Sequence, residues 1–80
     1  MWLYVDKLPE AATSEELRAA FAAFGIVNKA FIFKSATEPV AFVEMASDDA
    51  AARAADALDG SELFGVQISV VVLRQRPPQV

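Results

Sequence analysis

Val40-Ala41-Phe42-Val43-Glu44-Met45 alternates, with Val40, Phe42 and Glu44 on one side and Ala41, Val43 and Met45 on the other. A period of two in a run rich in β-branched and aromatic residues predicts a half-buried strand. Ala41, Val43 and Met45 are expected to face a core. Val40 and Phe42 then lie on the open face of a sheet, where folding alone gives no reason for an aromatic ring.

The segments on either side repeat the pattern. Trp2-Leu3-Tyr4-Val5-Asp6-Lys7-Leu8 alternates until Pro9, which cannot donate to a ladder. Val27 to Lys34 alternates too, with Ala30 and Ile32 opposite Phe31 and Phe33. Val66-Gln67-Ile68-Ser69-Val70-Val71-Val72, following Gly65, reads as the fourth strand. Two helices fall between these strands. Thr13 precedes Glu16 by three residues, a capping box, and Leu17, Ala20, Phe21 and Phe24 form one apolar stripe that Gly25 is expected to end in a left-handed conformation. Ser47 is the second N-cap, with Asp48 and Asp49 in the first turn, a stripe of Ala51, Ala54, Ala55 and Leu58, and Gly60 after it. The abundance of alanine favours helix and close helix-on-sheet packing.

The order is β-α-β-β-α-β. It predicts an α+β, ferredoxin-like split sandwich: a four-stranded antiparallel sheet in strand order 4-1-3-2 with two helices on one face. The expected core is Leu3, Val5, Leu17, Phe21, Phe24, Ile32, Ala41, Val43, Leu58, Ile68 and Val70. The bare face is expected to carry Tyr4, Phe31, Phe33, Val40, Phe42, Val71 and Trp2. An apolar patch of that size on a soluble domain marks a binding surface.

Composition narrows the chemistry. Eighty residues make one small domain, expected over residues 1–73, with 74–80 an extended tail or linker. Without cysteine or histidine there is no thiolate, zinc or His-dependent triad, so neither enzyme activity, metal nor cofactor is expected. The absence of cysteine makes an intracellular protein, nuclear or cytoplasmic, the default reading. No apolar run is long enough to span a bilayer, and Met1-Trp2-Leu3-Tyr4-Val5 is too short and aromatic for a signal peptide.

The short motifs add a family. Leu3-Tyr4-Val5-Asp6-Lys7-Leu8 and Glu38-Pro39-Val40-Ala41-Phe42-Val43-Glu44-Met45 lie over the hexapeptide and octapeptide signatures of the RNA recognition motif, which the chain resembles from about Leu3 to Val72. Phe24-Gly25 and the Ala51…Ala54-Ala55…Leu58-Asp59-Gly60 stretch fit the same pattern. The resemblance implies a single-stranded RNA-binding module, with single-stranded DNA as a chemically similar ligand, that stacks two or three bases on the open face. Tyr4 and Phe42 are the stacking platforms it implies. Val40, Phe31 and Phe33 flank them, and Lys7, Lys29, Lys34, Arg74 and Arg76 are the nearby cations.

The octapeptide also departs from the family. Glu38 replaces a basic residue, Pro39 a glycine, and Val40 and Met45 aromatics. The net charge of −4 also opposes polyanion binding, although Glu15, Glu16, Asp48, Asp49, Asp56 and Asp59 belong to the helical side. The expectation is therefore weak RNA binding. The competing expectation is a protein-interaction domain that binds a peptide or a second copy through the same face.

Overall fold

The computed structural model describes residues 1–34, 39–63 and 65–73. Glu38 and the expected tail with Arg74 and Arg76 lie outside the described residues. The chain runs β1 (Trp2–Asp6), α1 (Ser14–Ala22), β2 (Val27–Lys34), β3 (Pro39–Met45), α2 (Asp48–Leu58), a short hairpin β4 (Glu62–Leu63) and β5 (Val66–Gln67), and β6 (Ser69–Leu73). The main sheet has the order β2-β3-β1-β6 with every neighbour antiparallel, so β3 and β1 are central. This is the predicted split βαββαβ sandwich.

Local chemistry fixes the helices. Thr13 is the N-cap of α1: its Oγ1 accepts from the Glu16 N–H (3.2 Å) and its hydroxyl donates to Glu16 Oε1 (3.0 Å). Ser47 caps α2 by accepting from the Ala50 N–H at 3.0 Å. Asp59 Oδ1, just beyond α2, accepts from the Val70 N–H at 3.0 Å and ties that helix end to β6.

Between helices and sheet, Leu3, Val5, Leu17, Phe21, Ala41, Val43, Met45 and Ile68 are fully buried, and Val70 is buried beside them. Removal of each large side chain from water contributes about 1.5–3 kcal/mol. Phe24, Ile32 and Leu58, also expected in the core, are partly buried at its margin.

Four local expectations are corrected. Strand one stops at Asp6 rather than running to Leu8, because Lys7 turns to φ 63 with its N–H donating to Asp6 Oδ1 at 2.7 Å. Strand four is two pieces: Val66 and Gln67 pair with Leu63 and Glu62, and the chain joins β1 only from Ser69. The change of partner occurs at Ile68, whose N–H donates to Ser61 O (3.0 Å) and whose carbonyl accepts from the Gly60 N–H (2.8 Å).

The third correction concerns Gly25, which does not end α1 in a left-handed turn. The helix closes at Ala22 with Ala23 still right-handed, and Gly25 sits at φ 157 against α2. A Cβ there would lie 2.7 Å from the Ala50 Cβ, so the close approach of α2 and the positive φ both require glycine. Fourth, β2 is not a strict alternation. A register shift between Val27 and Lys29 gives Asn28 no partner of its own. That bulge lets Val27 join the core while Lys29, Phe31 and Phe33, also odd-numbered, face the other way.

Candidate nucleic-acid interface

Register assigns the bare face in three rows across β2, β3, β1 and β6. The middle row is Phe31, Phe42, Tyr4 and Val71. On one side lies the row Lys29, Glu44, Trp2 and Leu73; on the other lie Phe33 and Val40, followed by Asp6 and Ser69. The alternation of β3 thus does what its sequence predicts: Ala41, Val43 and Met45 go to the core, and Val40, Phe42 and Glu44 to the face without helices.

The aromatic rings on this face form one connected run. Tyr4 and Phe42 are register partners with centroids 5.5 Å apart, and Phe33 meets Phe42 edge-on at 5.5 Å. Phe33 touches Phe31 at 6.3 Å, and Phe31 stacks toward Trp2 at 6.4 Å and 17°. Such pairs prefer these offset and edge-to-face arrangements because of the ring quadrupole.

Packing among the rings changes their accessibility. Phe42 is on the expected face but only 5% exposed, enclosed by Tyr4 and Phe33, and Trp2 is 7% exposed. The expectation that an aromatic here serves no folding purpose is corrected: Phe42 packs. The accessible apolar surface is Phe31, 37% exposed, and Val71, 49%, with Tyr4, Phe33 and Val40 half-buried.

Charge is only partly segregated, because the register puts the carboxylates Glu44 and Asp6 on the bare face together with Lys29. Lys7 and Lys34 lie at one end of the sheet, where β1 finishes and β2 meets Pro39; Lys29 lies at the other. All three are exposed, and among the described residues none is in an ion pair. The arginines of the helical side are engaged: Arg53 pairs with Asp49 at 2.7 Å, and Arg18 donates to Val27 O at 3.0 Å. Of the three lysines the register puts only Lys29 on the bare face, whereas Lys34 shares the parity of Ala30 and Ile32 on the core side, and the carboxylates Glu15, Glu16, Asp48, Asp49 and Asp56 stay on the helices.

Sequence reasoning did not find the Trp2–Phe31 contact, nor the placement of Glu44 between Lys29 and Trp2. Both depend on the pairing registers of β1 with β3 and of β2 with β3, which alternation within one strand does not give. Among the described residues, no group of acidic residues is arranged to hold a metal ion, and no helix is long and apolar enough to cross a membrane.

The fold is the split βαββαβ sandwich with an aromatic run on the face the helices leave bare. The chain belongs to the RNA recognition motif family, which matches residues 3–69. It is 37% identical to the RNA-binding protein Rsf1 of Drosophila melanogaster over 79 residues, covering 96% of this chain and 39% of that protein. It is 40% identical over 70 residues to a probable arginine/serine-rich splicing factor 6 of Caenorhabditis elegans, covering 85% of this chain and 37% of that protein. The chain thus spans well under half the length of these relatives. Among solved structures, the Sxl-lethal protein/RNA complex superimposes with a TM-score of 0.82 at 28% identity, over 96% of this chain and 48% of that one.

Proposed function

We propose that the chain is a single-stranded RNA-binding module that stacks two or three bases on its open sheet face with weak affinity. The observation that carries this reading is the connected run of Tyr4, Phe42, Phe33, Phe31 and Trp2 across the face that the helices leave bare. Aromatic faces accept any base, and each stacked base is worth about 1–3 kcal/mol. Phe31 and Tyr4 are the platforms a base meets, and Phe42 supports them from within the sheet. Lys7, Lys29 and Lys34 lie at the strand ends, where a strand crossing the rings leaves its phosphates. Arg74 and Arg76 extend the same positive character along the sequence. The names of the relatives, an RNA-binding protein and a splicing factor, support RNA and a role in RNA processing.

The test is a titration of backbone amide resonances with short mixed-sequence RNA. Shifts confined to β1, β2, β3 and β6, with a dissociation constant of about 10–100 μM, are expected. Shifts confined to α1 and α2 would contradict the reading. A second reading, in which the face binds a protein or a second copy, is favoured by one observation: Val71 is half-exposed and aliphatic, and stacking makes no use of it. Concentration-dependent sedimentation without any RNA response would select that reading.

A further inference from the structure

We propose that Lys29 and Glu44 read a guanine stacked on Phe31, an inference that rests on the RNA-binding reading above. The two residues are register partners on β2 and β3, on the bare face, one pleat from the middle row of rings. Directly opposed side chains on adjacent strands have Cβ atoms about 4.5–5.5 Å apart, close enough to contact one base together. Among the described residues neither enters an ion pair or a side-chain hydrogen bond, so their polar groups are available to a ligand. Lys29 is exposed, whereas Glu44 is half-buried between Lys29 and Trp2.

Phe31 is two residues from Lys29 on the same face and diagonal to Glu44, and it is the most exposed ring of the run. A base lying on it points one edge at a carboxylate and an ammonium side by side. Guanine fits that pair best. Its N1–H and N2–H2 donate in parallel to the two carboxylate oxygens, and the adjacent O6 accepts from the ammonium. Cytosine and adenine each offer one exocyclic amino donor. Uracil presents a single N–H between two carbonyl oxygens that the carboxylate repels.

The experiment measures affinity for oligouridines carrying guanine, cytosine, adenine or uracil at one central position, with wild type, Glu44→Gln and Lys29→Met. A bidentate base contact is worth about 1–3 kcal/mol, so the guanine oligomer is expected to bind about tenfold more tightly than the all-uridine one. Glu44→Gln, which swaps one acceptor for a donor at constant shape, should reduce that ratio to about threefold or less. Lys29→Met should weaken the guanine oligomer more than the others. Equal binding of all oligomers by wild type, or a guanine preference that survives Glu44→Gln, overturns the proposal while leaving RNA binding intact. No binding to any oligomer overturns both.

Discussion

Trp2 and Phe31 belong to strands that are not neighbours, yet their ring centroids are 6.4 Å apart and their planes differ by 17°. The rings reach toward each other over β3, between Glu44 and Phe42, the residues that pair with them. Trp2 is consequently buried, and it is the single tryptophan of the chain. Its fluorescence therefore reports on this face. Phe31→Ala should shift Trp2 emission to the red by admitting water, while the far-ultraviolet spectrum of the fold stays unchanged. Unaltered emission would show that Phe31 does not shield Trp2.

Phe31 and Phe42 separate binding from folding. Phe31→Ala removes a partly exposed ring and should cost about 1–3 kcal/mol of RNA affinity with less than about 1 kcal/mol of stability. Phe42→Ala removes a ring that is 5% exposed and should cost about 3 kcal/mol of stability, read by urea denaturation. Its effect on RNA binding is interpretable only after that loss is measured. Equal stability of the two variants would contradict the assigned packing.

Those two residues also show how far the sequence was legible. The alternation of Val40 to Met45 assigns each side chain to its correct face, and capping by Thr13 and Ser47 places both helix starts. Alternation cannot say that Phe42 is buried by neighbours on its own face, because that depends on rings from β1 and β2 meeting it. Nor could it separate Val66 from Ser69: the apolar run continues across Ile68 while the hydrogen-bond partner changes. Asn28 carries no local signal of a bulge, yet it decides which way Val27 points. Gly25 is recognisable as punctuation, but its contact with Ala50 is visible only in three dimensions.

That contact gives a stability prediction. Gly25→Ala places a methyl group 2.7 Å from the Ala50 Cβ and should cost about 1–3 kcal/mol, lowering the melting temperature by about 4 °C or more. Adding Ala50→Gly should restore the part of the loss that comes from the contact but not the part due to the φ of 157 at Gly25, so a double-mutant cycle should give a coupling of about 1 kcal/mol. Additive effects would show that the two elements are not in contact.

Few cations serve the sheet side, which limits salt dependence. The slope of log K against log salt should be about −1 to −3, and Lys34→Ala should make it shallower by about 0.7 if that lysine meets a phosphate of a single strand. Glu38→Arg, at the octapeptide position that is basic in the family, should tighten RNA binding by about 1 kcal/mol and steepen the slope. Fluorescence anisotropy of labelled RNA over a salt series checks both. A slope steeper than about −5 would require a second basic surface.

The most direct test is a measurement of intermolecular nuclear Overhauser effects between protein ring protons and a bound short RNA. Bases that stack on the open face should give contacts from the rings of Phe31 and Tyr4 to base and ribose protons, and none from residues of α1 or α2. An RNA complex with its contacts on the helices, and silent Phe31 and Tyr4 rings, would contradict the account.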